Sequence, residues 1–241
     1  MEDPGYPPTW HALSAAGAEL HAVPVDRAGL NVAAGVAAAP RARLAFVTPS
    51  HQYPLGVTLS MGRRLELLAW ARQAGAWIVE DDYASEFRYS GPPLAALQGL
   101  DGGERVIYVG TLNKALFPGL RLGYMVAPRS LAAALAKARQ LIDRQPPTLT
   151  QAVLLDFMES GQFAAHVRRR RLAYRTQRDA LAEATATKAT IIVAHRLSSL
   201  MHADHIIVLD EGRIAEQGTH AELVQAGGVY ADLYELQTRS D

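Results

Sequence analysis

Lys114 follows an apolar run, Val106 to Val109, and sits in the segment Gly110 to Tyr124, which reads GTLNKALFPGLRLGY. Asp81 occupies a similar position, in the acidic tip Glu80-Asp81-Asp82-Tyr83 behind Ala76 to Val79. A lysine and an aspartate at the ends of neighbouring strands suit one chemistry well. The amine attacks an aldehyde cofactor to form a Schiff base, and the carboxylate keeps the cofactor's ring nitrogen protonated. Pyridoxal phosphate offers such an aldehyde. A protonated amine is a poor nucleophile, and desolvation at the end of a buried strand would favour the neutral form. Arg121 is the natural phosphate partner, because a guanidinium fork matches phosphate oxygens. Thr111 can add a hydroxyl donor, and Tyr83 can donate to the ring oxygen.

These residues need a scaffold, and the pattern around them predicts one. Ala18 to Val25, Leu44 to Val47, Ala76 to Val79, Val106 to Val109 and Leu122 to Val126 read as strands. Arg63 to Gln73 reads as a helix with Leu65, Leu68, Ala69 and Trp70 on roughly one face. Strands that are apolar throughout are usually covered on both sides, so the alternation predicts an α/β fold with a mostly parallel sheet under helices. Such sheets bind ligands beyond their carboxyl ends, where Thr48-Pro49-Ser50, Asp81 and Lys114 all fall. Helix-like sequence dominates from Ser130 to Ala184, broken at Pro146-Pro147, with Thr148 placed to cap the next helix. The arginine run Arg168 to Arg171 reads as a solvated helix face rather than a phosphate patch.

Composition narrows the function classes. The 241 residues carry 24 Lys plus Arg and 24 Asp plus Glu, so net charge makes no case for nucleic acid or an anionic membrane. Cysteine is absent, which excludes disulfides, thiolate catalysis and cysteine-ligated zinc. No apolar stretch is long enough to span a bilayer, and the acidic, proline-rich start does not resemble a signal peptide. A cytoplasmic protein with no metal site is the expectation.

Three motifs in order, TPSHQYPLG at 48–56, EDDYASEFRY at 80–89 and the lysine segment at 110–124, resemble fold-type-I pyridoxal-phosphate aminotransferases. In particular, residues 1–180 resemble the aminotransferase-like domain of MocR-type regulators of the GntR superfamily. The resemblance implies Lys114 as the Schiff-base lysine and Asp81 as the ring-nitrogen partner. It places Tyr83 at the ring oxygen, Arg121 at the phosphate, and Tyr53 where ordinary members carry asparagine. Asn113 and Leu55 depart from the usual serine and threonine. The family's phosphate-holding loop and ring-stacking aromatic are expected upstream of Met1, and its small domain beyond Leu181, so cofactor binding is expected to be weak. An amino-acid or amine substrate or effector is implied; a homodimer is left open.

The last quarter has a different character. TIIVAHRLS at 190–198 and ADHIIVLDEGRIAEQGTHAEL at 203–223 resemble the end of an exporter-type ABC-transporter ATP-binding domain. That resemblance implies His195 as a vestigial nucleotide-contacting histidine. No G-x-x-x-x-G-K-[ST] loop occurs in the chain, so ATP binding is not expected. His202 and His205 read as surface residues rather than ligands. Locally, Ile206 to Leu209 and Arg213 to Glu216 predict a hairpin, and Thr219 to Glu222 a capping box. Apolar edges at Ile191 to Val193 and Ile206 to Leu209 are expected to be exposed. These readings divide the chain into 1–181, a junction at 182–188, and 189–241. A non-catalytic fusion fragment, or an ATP-binding remnant without ATPase activity, stands beside the enzyme reading.

Overall fold

The computed structural model describes residues 1–89, 94–144, 147–186, 200, 203–210, 213–232 and 234. In chain order its elements are β1 (Glu2–Asp3), α1 (Pro7–Ala15), β2 (Val23–Asp26), β3 (Gly29–Leu30), α2 (Val32–Ala38), β4 (Leu44–Val47), α3 (Met61–Ala74), β5 (Trp77–Asp82), α4 (Leu97–Asp101), β6 (Val106–Thr111), β7 (Gly123–Val126), α5 (Arg129–Asp143), α6 (Thr148–Glu159), α7 (Gln162–Ala186), β8 (Ile206–Asp210), β9 (Arg213–Gly218) and α8 (His220–Ala226). The chain divides into two units, residues 1–3 with 21–186, and residues 4–20 with 187–241.

The larger unit is built on the sheet β4-β5-β6-β7. β4, β5 and β6 run parallel, and β7 returns antiparallel to β6. A smaller sheet, β1-β2-β3, pairs β1 parallel and β3 antiparallel to β2. The mixed α/β architecture with a mostly parallel main sheet is the fold class the sequence predicts. Only Val23 onward in the Ala18–Val25 stretch is strand. β7 is exposed at all four positions, so its apolar sequence does not mark a strand covered on both faces.

α3 begins where Ser60 Oγ accepts from the Arg63 N–H and ends at Gly75 in the left-handed region, φ 63°. Its buried stripe is Arg64, Leu67, Leu68 and Ala71, a helical i, i+3, i+4, i+7 face. This corrects the expected face, since Leu65 is 55 % exposed. The reason is Arg64, a charged residue at a core position. Its guanidinium is satisfied by the carbonyls of Leu59 (2.9 Å), Ala95 (2.9 Å) and Pro49 (2.8 Å). Leu67 and Leu68 pack with Val47, Ile78 and Val106 from three adjacent strands, each buried leucine contributing about 1.5–3 kcal/mol. Thr148 is the first helical residue of α6 and makes no side-chain cap, a place taken by Pro147. α6 meets α7 through Phe157 and Phe163, ring centroids 6.3 Å apart.

The smaller unit contains α1 and the antiparallel hairpin β8-β9, followed by α8. The predicted capping box is present. Glu222 N–H donates to Thr219 Oγ1, and Thr219 N–H donates to Glu222 Oε2 at 2.8 Å. Ile206, Leu223 and Tyr230 form its apolar cluster, while Ile207 and Leu209 are exposed. The expected strand over 190–194 lies outside the described residues.

Candidate functional site

β5 delivers three consecutive carboxylates with three different fates. Side chains alternate along a strand, so Glu80 and Asp82 share one face and Asp81 takes the other. Glu80 is fully buried, and its two oxygens accept the N–H groups of Leu97 (2.9 Å) and Gln98 (3.0 Å) at the start of α4. Burial pushes its carboxyl up, while those donors and Arg64 pull it down. Asp82 accepts the Ser85 N–H at 3.0 Å and the Tyr108 hydroxyl at 2.8 Å. Asp81 has no hydrogen-bond donor among the described residues. Burial first, and the neighbouring Asp82 second, raise its carboxyl to about 6. It is an acid poised to ionise against an incoming cation.

Tyr83 continues the strand end. Its phenol is pushed up to about 12, by burial first and then by the charges of Asp81 and Glu2 and by Tyr53, so it keeps its proton at neutral pH. Its ring meets His51 edge-on at 6.0 Å. Tyr53 is held through its backbone: its N–H donates to Thr48 Oγ1 at 3.3 Å, and its carbonyl accepts from Gln52 Nε2 at 2.6 Å. The Tyr53–Pro54 peptide is cis.

Lys114 is reached through β6, which pairs Asp81 with Val109 and Asp82 with Gly110. Thr111 ends that strand, and its Oγ1 accepts the Asn113 N–H at 3.2 Å. This leaves the Thr111 hydroxyl proton available to a ligand. Leu112 and Ala115 are buried on either side of Lys114, and the lysine itself is exposed. The expected dehydration of Lys114 by strand burial is therefore not met, because the turn carries it clear of the sheet. Asn113 Oδ1 is buried with no partner among the described residues. Arg121 is exposed in the left-handed region, φ 50°, after the one-turn 3₁₀ helix Pro118–Leu120.

Asp81, Tyr83 and Tyr53 are thus electrostatic neighbours, and Thr111 and Lys114 follow the adjacent strand at the same, carboxyl end of the sheet. His195 lies outside the described residues, as does His202, while His205 is exposed. No group of three or more metal-ligating side chains occurs among the described residues. Arg168 to Arg171 are exposed, with the Arg171 guanidinium donating to the Arg88 carbonyl at 3.2 Å. Glu2, Asp82 and Gln52 also border this site, and the sequence motifs do not mark them as members. Asp82 has a signal in its place beside Asp81; Glu2 and Gln52 have none in spacing.

The donor set fits pyridoxal phosphate on one observation above others. Asp81 is a half-buried carboxyl with no donor among the described residues, and a protonated ring nitrogen would supply one.

The aminotransferase class I and II pattern matches residues 1–234. The probable rhizopine catabolism regulatory protein MocR of Rhizobium meliloti is 47 % identical over 174 residues, 72 % of this chain and 35 % of that protein. The aromatic-amino-acid aminotransferase 1 of Thermococcus litoralis is 35 % identical over 144 residues, 60 % of this chain and 34 % of that protein. Among solved structures, the Pyrococcus horikoshii kynurenine aminotransferase superposes with a TM-score of 0.72 at 29 % identity, covering 86 % of this chain and 50 % of that one. The multiple substrate aminotransferase of Thermococcus profundus gives 0.72 at 31 % identity, covering 85 % and 50 %. The chain thus spans about a third of the curated relatives it matches and half of these solved structures. Both the pattern across 1–234 and the shared fold show that the chain belongs to the aminotransferase class I and II family, whose fold is that of the pyridoxal-phosphate enzymes.

Proposed function

We propose that the larger unit is a pyridoxal-phosphate-binding, aminotransferase-like domain that takes an amino acid or amine as substrate or effector. The observation that carries this reading is Asp81, a carboxyl raised to about 6 with no donor of its own among the described residues, one strand away from Lys114. Bound pyridoxal phosphate supplies an aldehyde and an electron-withdrawing ring. Asp81 holds the ring-nitrogen proton, and Tyr83 and Tyr53 offer phenol protons to the ring oxygen. Thr111 and Arg121 hold the phosphate, the arginine by charge-assisted hydrogen bonds. Lys114 Nζ would supply the amine for the cofactor's aldehyde and, when neutral, a base able to hold a proton beside it.

The test is a titration with pyridoxal phosphate followed by visible absorbance. The unmodified chain should develop a band that Lys114→Ala lacks. Asp81→Asn should weaken binding about 10–100-fold, the worth of one charge-assisted hydrogen bond. Equal binding by the unmodified chain and Lys114→Ala would remove the lysine from the mechanism.

For residues 189–241 we propose a remnant related to an ABC ATP-binding domain that binds no nucleotide. Supporting it are the hairpin and capped helix that follow within the segments carrying that resemblance, and their own apolar cluster. Calorimetry with magnesium-ATP should show no binding heat; saturable heat lost in His195→Ala would overturn this.

A further inference from the structure

We infer that Glu2 is a positioning residue that sets Tyr53 at the edge of the cofactor site, acting through Thr48 and Gln52; this rests on the cofactor reading above. Glu2 lies on β1, in the smaller sheet of the same unit, and is 5 % exposed. Its carboxylate gathers the end of β4. Oε1 and Oε2 both lie 3.2 Å from the Thr48 N–H, Oε2 accepts the Thr48 hydroxyl at 2.6 Å, and Gln52 Nε2 approaches Oε2 at 3.5 Å.

The same two residues hold both ends of Tyr53. Thr48 Oγ1 accepts the Tyr53 N–H, and Gln52 Nε2 donates to the Tyr53 carbonyl. Gln52 also anchors the rest of the turn: its Oε1 accepts the Leu55 N–H at 3.1 Å, and its carbonyl accepts the Gly56 N–H at 2.7 Å.

The direction of this relay is dictated by the carboxylate. An ionised glutamate can only accept, so the Thr48 proton must point at Glu2. That turns a Thr48 lone pair toward the Tyr53 N–H. Hydrogen bonds arranged head to tail in a dry site also strengthen one another. A glutamine at position 2 would present an NH₂ group to two donors and leave one oxygen for the work of two. The Thr48 hydroxyl would then be free to turn, and Tyr53 would lose a fixed partner. The charge of Glu2 and the Tyr53 phenol both act on Tyr83, raising its phenol.

The experiment is a double-mutant cycle on the full chain, reading the pyridoxal-phosphate dissociation constant from the Lys114-dependent absorbance. Glu2→Gln should weaken binding roughly 10-fold when Tyr53 is present and less than about 2-fold in a Tyr53→Phe background, since coupled residues are non-additive. Thr48→Val, which cuts the relay without touching the acid, should reproduce the loss and keeps the test open if Glu2→Gln does not fold. Amide exchange at Tyr53 should accelerate in both variants while Val79 and Ile107 stay protected. Equal weakening in both backgrounds would make Glu2 a general structural residue and overturn the inference. So would a Lys114-dependent band indifferent to Glu2, leaving the cofactor reading intact. Absence of that band in the unmodified chain would sink the cofactor reading and this inference together.

Discussion

His166 Nε2, on α7, lies 3.0 Å from the carbonyl oxygen of Ala115, the residue next to Lys114. The carbonyl can only accept, so the ring nitrogen there carries the proton. A helix far along the chain thereby holds the turn that carries the lysine. His166→Ala should lower stability by about 1 kcal/mol, the net worth of one such bond. That corresponds to a fall in melting temperature of roughly 2–4 °C for a chain of this size. His166→Gln, which retains an N–H donor, should recover part of the loss. Identical melting curves for the unmodified chain and His166→Ala would show that the contact holds nothing.

Asp81 makes stability depend on pH with a definite sign. Its carboxyl is raised from 3.8 to about 6 by burial and by Asp82. The fold therefore binds the proton more tightly than the unfolded chain does. Below about 4 both states are protonated and the group costs nothing; above about 6 it is ionised in the fold at full cost. Stability should fall as pH rises between those limits. Glu2, Glu80 and Glu86 are raised as well, so the comparison that isolates Asp81 is with Asp81→Asn. At pH 7 that variant should be more stable by about 2 kcal/mol, allowing for solvent screening, and at pH 4 the two should coincide. Denaturant melts at both pH values measure this; a constant difference across pH would remove Asp81 as its source.

Much of this arrangement is legible in the sequence, and the parts that are not share a cause. Leu44–Val47 and the strands ending at Asp82 and Thr111 announce themselves by short apolar runs closed by polar residues. The capping box at Thr219 and Glu222 announces itself by local spacing. Arg64 does not: hydrophobic periodicity assigns charged residues to the outside, and only the three carbonyls brought together by the fold justify this one inside. Glu2 is hidden for the same reason. Its donors lie 46 and 50 positions away, and no local pattern encodes a contact of that range. The exposure of Lys114 is hidden too, because the apolar run of β6 carries no mark of how sharply the chain leaves the sheet after Thr111.

Gly110 is required by Tyr124. The two are direct partners in the β6-β7 ladder, and a Cβ on Gly110 would lie 2.6 Å from the Tyr124 Oη and 2.7 Å from its Cε1. The ring is also packed against Tyr108, centroids 6.0 Å apart, whose hydroxyl serves Asp82. Gly110→Ala should therefore destabilise by about 1–3 kcal/mol through overpacking. Tyr124→Ala removes the obstacle, so the double variant should lose less than the sum of the two single losses. Additive losses in denaturant titrations would place the cost of Gly110→Ala elsewhere.

Arg121 offers the sharpest separation of stability from function. Its φ of 50° and ψ of 34° are left-handed, a region that costs an ordinary L-residue about 1–2 kcal/mol. Strain at such a position persists only where the surrounding structure holds it, and it concentrates at ligand sites. Its guanidinium makes no ion pair or hydrogen bond among the described residues, so no polar contact of the side chain offsets the strain within them. Phosphate binding would. Glycine adopts this conformation freely but loses more freedom on folding, so Arg121→Gly should stabilise the chain by a net of about 0.5–1 kcal/mol. The same change should weaken pyridoxal-phosphate binding at least 10-fold, since a bidentate charged contact is lost. Melting temperature and cofactor affinity should thus move in opposite directions for one substitution. A variant that gains stability and binds the cofactor unchanged would take Arg121 out of the phosphate site. A variant that loses stability would mean that the arginine is held by the fold rather than strained by it.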